Sequence, residues 1–284
     1  MEIKKVGVVG CGLMGSGIVE VCAKAGYEVV VSEINDEFLQ KGLGRLNKSL
    51  SRAVSKGKVT QEEMDAALAR VKGTTDTADF ADCDLVIEAA IENMELKKQL
   101  FAELDGILRP EVIIGSNTSS LCITEMASAT QRGDKVLGIH FFNPVPVMPL
   151  LELVRTILTS DETLAIAQEF GQSVGKTTVV AKDTPGFIVN RLLIPYLLDA
   201  VRIYEDGLAT REDIDTAIKL GLNHPMGPLT VLDLVGLDTT LFIADAMFEE
   251  LKDPRYAAPP LLRRMVLAGH LGRKSGKGFY DYSK

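Results

Sequence analysis

Over the first two-thirds of the chain, short β-branched and apolar runs alternate with segments whose apolar positions recur every three or four residues. Residues 3–9, 27–32, 84–89, 112–116 and 136–140 read as strands. Residues 12–25, 36–55, 60–69 and 93–108 read as helices set between them. This alternation predicts an α/β, Rossmann-type domain: a mostly parallel sheet covered by helices on both faces. Residues 150–155 and 177–180 read as two added strands around a helix over 161–174.

After Asp183-Thr184-Pro185-Gly186 the pattern changes, and only helical periodicity remains, over 187–205, 211–219, 228–235, 239–250 and 260–268. Gly207, Gly221, Pro225, Gly236 and Pro254 punctuate these segments. The expected division is an α/β domain over 1–185 and an all-helical domain over 186–284.

Composition narrows the classes. At 284 residues, 46% of them hydrophobic, the chain can bury a large core. No apolar run approaches the roughly 18 residues that span a bilayer, and the N-terminus lacks the pattern of a secretory signal. The four cysteines, Cys11, Cys22, Cys83 and Cys122, show no CxxC spacing, and three histidines form no zinc-site cluster. The expectation is a cytoplasmic protein, without bound metal, whose thiols pack in or near the core. A net charge of −8 argues against a generally basic nucleic-acid binder.

That charge is unevenly spread. Between Glu37 and Glu62 there is no acidic residue but six basic ones: Lys41, Arg45, Lys48, Arg52, Lys56 and Lys58. The first five share one helix face, opposite Leu39, Leu43, Leu46, Leu50 and Val54. A solvated face is the plain reading. Solvated faces usually mix signs, however, and so cationic a stripe on an acidic chain suggests a polyanionic ligand.

The first strand runs directly into Gly10-Cys11-Gly12-Leu13-Met14-Gly15. Such a turn between strand and helix fits a dinucleotide: Gly10 for the turn, Gly12 for close approach of a pyrophosphate, Gly15 for helix–sheet packing. The helix N-terminus, with Leu13 and Met14, supplies amide donors. Glu33 ends the second strand, where a carboxylate accepts from ribose hydroxyls and repels the extra phosphate of NADP, so NAD is favoured.

His140 ends a predicted strand, and Glu152 interrupts the apolar run Leu150–Val154. A carboxylate in such a run must be met by a cation or donor, and His140 is an economical partner. Such a pair suits acid–base chemistry on an alcohol or ketone. The polar cluster Ser116-Asn117-Thr118-Ser119-Ser120 and Asn190 are further candidates.

SNTSSL at 116–121, HFFNPVPVMPLLELV at 140–154, DTPGFIVNRLL at 183–193, GLNHPMGPLTVLDLVGLD at 221–238 and GRKSGKGFYDY at 272–282 together resemble the 3-hydroxyacyl-CoA dehydrogenase family, its free-standing bacterial 3-hydroxybutyryl-CoA members above all. The resemblance implies NAD-linked interconversion of an L-3-hydroxyacyl-CoA and its 3-ketoacyl-CoA. It makes His140 the catalytic base, Glu152 its carboxylate partner, and Ser119 and Asn190 the contacts to substrate. It sets Glu92, Lys97, Asn117 and Asn143 on the cofactor side, and Ser49 and Lys56 against coenzyme A. It also implies a homodimer through the helical domain. Cys11 within the turn and Glu33 in place of the commoner aspartate depart from the pattern. The alternatives are a Rossmann dehydrogenase of free hydroxy acids, or a structural member that binds NAD without catalysis.

Overall fold

A computed structural model describes residues 2–283. Two compact units divide the chain between Thr184 and Pro185.

The first unit is built on one eight-stranded sheet. Its strands are β1 (Lys5–Val9), β2 (Glu28–Ser32), β3 (Val71–Thr74), β4 (Leu85–Glu88), β5 (Ile113–Ser116), β6 (Val136–Phe141), β7 (Leu150–Arg155) and β8 (Thr177–Lys182). Their order is β3-β2-β1-β4-β5-β6-β7-β8. The first six are parallel, β7 is antiparallel to β6, and β8 is parallel to β7. Residues of β4, β5 and β6 are all buried, as strands covered on both faces must be. The order reverses beside β1, and the crevice past the C-terminal ends of such strands is where open α/β sheets bind ligands.

The helices are α1 (Leu13–Lys24), α2 (Asp36–Ser55), α3 (Gln61–Ala69), α4 (Met94–Ile107), α5 (Ile123–Ala127) and α6 (Asp161–Ser173). Local sequence starts most of them: the side chains of Asn35, Thr60, Asn93 and Ser160 accept from the amides of Phe38, Glu63, Leu96 and Thr163. On α2, Leu39, Leu46 and Leu50 are buried against the core, while Leu43 and Val54 are only partly buried.

The second unit contains α7 (Val189–Glu205), α8 (Arg211–Gly221), α9 (Pro228–Val235), α10 (Leu237–Leu251) and α11 (Pro260–Leu267). They close on a core that includes Leu197, Leu198, Leu232, Met247 and Phe279. Asp233 fastens the C-terminal segment, accepting from the amides of Phe279 and Tyr280 and the Tyr282 hydroxyl. Two isolated bridges, Gly272 to Lys277 and Lys277 to Asp281, qualify the purely helical expectation for this region.

Three other expectations need correction. β3 and α5 were not anticipated. The helix expected from residue 187 begins instead at Val189, because Gly186 and Phe187 have φ of +77° and +48° and so cannot join a right-handed helix. Cys11, Cys22 and Cys83 are buried as expected, but Cys122 is exposed.

Candidate active site

The glycine turn separates two reasons for having glycine. Gly10 has φ +94°, and a Cβ on Gly15 would lie 1.9 Å from the Gly10 carbonyl oxygen, so the fold itself demands both. A Cβ on Gly12 would meet nothing within 4 Å. Protein packing leaves Gly12 unexplained, whereas close approach of a pyrophosphate to the start of α1 explains it. The residues therefore fit a dinucleotide. Gly15→Ala is expected to cost roughly 1–3 kcal/mol of stability through overlap, seen as a lowered melting temperature. Gly12→Val should melt normally yet bind NADH at least ~10-fold more weakly in a fluorescence titration; unchanged binding would remove the ligand explanation.

Glu33, at the end of β2, braces this turn: its carboxylate accepts from the amides of Cys11 at 2.7 Å and Ile34 at 3.2 Å. Cys11 is sterically less neutral than its size suggests. A Cβ on Gly42 of α2 would lie 2.3 Å from the Cys11 sulfur, so α2 passes the turn only because residue 42 is glycine. Burial, with the nearby Glu33 carboxylate, pushes the Cys11 thiol up to about 11.

Beyond β4 and β5 lies a buried polar network. Glu88, the last residue of β4, is fully buried and accepts from Lys97 Nζ at 2.5 Å, the Ala90 amide at 2.7 Å and Ser116 Oγ at 2.7 Å. Lys97, on α4, is 1% exposed and also faces Glu92 at 3.3 Å. Glu92 in turn accepts from Thr118 Oγ1 at 2.9 Å and the Ser119 amide at 3.0 Å. Asn117 bridges the strands, its amide donating to the Glu88 carbonyl and its Oδ1 accepting from the Phe141 amide. The position of Ser119 is thus set by a chain of charged groups that starts at Glu88.

In the antiparallel register of β6 and β7, His140 lies directly opposite Glu152. His140 Nδ1 is 2.7 Å from Glu152 Oε2, and the carboxylate is fully buried. The Phe142 ring lies against the imidazole, with centroids 4.5 Å apart. With Nδ1 committed to a carboxylate, the neutral imidazole carries its proton there, and Nε2 is the nitrogen that can exchange a proton with a substrate. This assignment of the tautomer follows from the hydrogen bond.

A cavity of about 280 Å³ opens between α1, α2 and the loop after β6; Ser49 and Asn143 both line it, as do Arg45, Lys48 and Arg52 of the basic stripe. Two details of the stripe change. Lys41 pairs with Glu37 at 2.7 Å, so it is not uncompensated. Lys56 caps the end of α2 and does not line the cavity, in contrast to Ser49.

Residues 5–184 match the family model described as 3-hydroxyacyl-CoA dehydrogenase, NAD binding domain, and residues 186–282 match 3-hydroxyacyl-CoA dehydrogenase, C-terminal domain. The chain belongs to the 3-hydroxyacyl-CoA dehydrogenase family. A 3-hydroxybutyryl-CoA dehydrogenase of Mycobacterium tuberculosis is 55% identical over 282 residues, 99% of each chain. The mitochondrial hydroxyacyl-coenzyme A dehydrogenase of Sus scrofa is 45% identical over 99% of this chain and 91% of its own. The solved (S)-3-hydroxybutyryl-CoA dehydrogenase of Ralstonia eutropha superposes with a TM-score of 0.95 at 47% identity, each chain covered in full.

Within this family member, the first unit carries Ser119, His140 and Glu152, while Asn190 stands half-buried in the opening turn of α7 in the second. Two buried carboxylates of the first unit escaped the sequence reading, Glu88 and Glu20. Each interrupts an apolar run, LVIEA and GIVEVCA, as Glu152 does. The same argument from the cost of a lone buried carboxylate points to both.

Proposed function

We propose that this protein is an NAD-dependent L-3-hydroxyacyl-CoA dehydrogenase that interconverts 3-hydroxybutyryl-CoA and acetoacetyl-CoA. The observation that carries the reading is the buried 2.7 Å contact between His140 and Glu152 at the C-terminal end of β6. A histidine so oriented by a carboxylate is suited to moving a proton on and off a substrate oxygen.

A bound nicotinamide supplies or accepts the hydride at C3 of the substrate. The chain does the rest. In the oxidative direction His140 Nε2 takes the proton of the 3-hydroxyl, and Glu152 stabilises the imidazolium; in reduction the imidazolium returns the proton. Ser119, held through Glu92 and Lys97, contacts the substrate oxygen; Asn190 is assigned a substrate contact of its own. The amides of Leu13 and Met14, with Gly12, hold the pyrophosphate. Glu33 offers a carboxylate to the adenosine ribose, which disfavours the 2′-phosphate of NADP by like-charge repulsion. Ser49 and the exposed cations on α2 receive the coenzyme A portion, with Lys56 further along the same helix.

The test is absorbance at 340 nm. Acetoacetyl-CoA with NADH should turn over rapidly, while NADPH should give kcat/KM at least ~10-fold lower, and free acetoacetate should be a poor substrate. Equal rates with acetoacetate and acetoacetyl-CoA would favour a free hydroxy-acid dehydrogenase. No turnover with any of them would favour a non-catalytic member.

The homodimer reading rests on the second unit, where Leu192, Leu208, Leu220, Leu234 and Phe242 expose apolar surface. A single-chain mass at micromolar concentration in light scattering would overturn it. Among the described residues no helix is long and apolar enough to cross a membrane. The four unpaired thiols suit a reducing compartment such as the cytoplasm.

A further inference from the structure

The cavity beside α1 has a floor that proton transfer does not use. Ser16, Gly17 and Glu20 share the face of α1 that borders it, opposite Ser49 and Arg52 of α2. Val145 closes it from the loop side, seated so tightly that a Cβ on Gly17 would lie 2.8 Å from it. Glu20 is 2% exposed, and its Oε2 has no hydrogen-bond partner.

A buried carboxylate oxygen without a donor is costly, and native proteins seldom leave one so. Burial pushes the Glu20 carboxyl up, while the Ser49 hydroxyl and the charges of Lys24 and Lys176 pull it back. Neither cation satisfies Oε2. Lys24 is exposed, and Lys176 donates to the carbonyls of Val145 and Met148 at 2.6 and 2.8 Å.

The walls define what could satisfy it. The lining combines apolar Leu13, Leu46, Pro144 and Val145 with the hydroxyls of Ser16 and Ser49, whereas Arg45, Lys48 and Arg52 stand exposed at the α2 side. A fitting ligand has an uncharged, partly apolar body with an amide or hydroxyl donor, and an anionic end for the cations. The phosphopantetheine arm of an acyl-CoA has both, with two amides and a hydroxyl on an uncharged chain that ends in phosphate; a short hydroxy acid has a hydroxyl and a carboxylate but no such chain between them.

We propose that Glu20 is a specificity residue, accepting a hydrogen bond through Oε2 from an amide N–H or hydroxyl on the pantetheine arm of the thioester substrate. This rests on the acyl-CoA reading given above and adds the group that recognises the arm. Glu20 selects substrates by their carrier, apart from the chemistry at C3.

The experiment compares acetoacetyl-CoA, acetoacetyl-pantetheine and S-ethyl acetothioacetate on the full-length enzyme, alongside calorimetric titration of the cofactor-free protein with pantetheine. Glu20→Met keeps the volume and removes the acceptor. It should raise KM for the first two substrates at least ~10-fold, leaving kcat, KM for NADH and all constants for the ethyl thioester unchanged. Glu20→Gln keeps one acceptor oxygen and should weaken pantetheine binding only ~3-fold. Equal KM changes for the ethyl thioester would mean a structural role. Unchanged constants for acetoacetyl-pantetheine would mean that Oε2 meets only water. Either result overturns the proposal. If the methionine variant fails to fold, the calorimetry of Glu20→Gln decides, unchanged pantetheine affinity overturning it. If wild type turns over no thioester, the dehydrogenase reading fails by itself, and pantetheine binding that is lost in Glu20→Met still upholds the role of Glu20.

Discussion

Glu88→Leu is expected to destabilise the protein by roughly 3–5 kcal/mol, because it strands the buried ammonium of Lys97. For a domain of this size that corresponds to a fall in melting temperature of roughly 10 °C. Lys97 is 1% exposed, and Glu88 is its close partner at 2.5 Å, with Glu92 farther off at 3.3 Å. The substitution also removes the acceptor for Ser116 Oγ and the Ala90 amide. Lys97→Met introduced beside it removes the uncompensated charge, so the double variant should recover at least half of the loss. Calorimetric melts of wild type, single and double variants measure this. A single-variant shift below ~2 °C, or a double variant less stable than the single, would contradict a buried ion pair that fixes the network. Turnover should fall as well, since Lys97 and Glu92 hold the Ser119 amide.

What the sequence made legible follows from where the determining partners lie. Helix α2 was bounded correctly at Asp36 and Ser55 because its start is written locally, in the Asn35 cap and the acids of its first turn. Strand β7 was bounded correctly by its apolar run. Strand β3 was missed because Val71-Lys72-Gly73-Thr74 has little strand character of its own and sits at the sheet edge, paired only with β2. Helix α5 was missed for a related reason. Its N-terminal amides at Ile123 and Thr124 are received by Asp183, some sixty residues away. No window of local sequence contains that cap.

The candidate site shows the same division. The pairing of His140 with Glu152 could be argued from chemistry, because a carboxylate in an apolar strand needs a partner and histidines are few. Glu88 and Glu20 carry that signature too, but their partners, Lys97 on α4 and the cavity against α2, become visible only once the helices are packed. The cationic face of α2 was legible as a pattern. That Lys41 turns back to Glu37 while Arg45, Lys48 and Arg52 reach a cavity was not, since both outcomes share one helical spacing.

His140→Gln is expected to lower kcat at least ~10²-fold while leaving NADH affinity within about twofold of wild type. Glutamine can still hydrogen-bond to Glu152, so the strand pair should hold, yet it cannot carry a proton between substrate and solvent. Glu152 should matter through His140 rather than on its own account. Glu152→Gln leaves the ring without its carboxylate and should lower kcat less than loss of the imidazole does.

The account stands or falls on these two residues acting as one acid–base unit. The most direct measurement is kcat for acetoacetyl-CoA reduction in the His140→Gln/Glu152→Gln double variant against His140→Gln alone. Once the imidazole is gone, removing the carboxylate should change kcat by less than ~3-fold. A further loss equal to that of Glu152→Gln in the wild-type background would show that the two residues act independently and contradict the account.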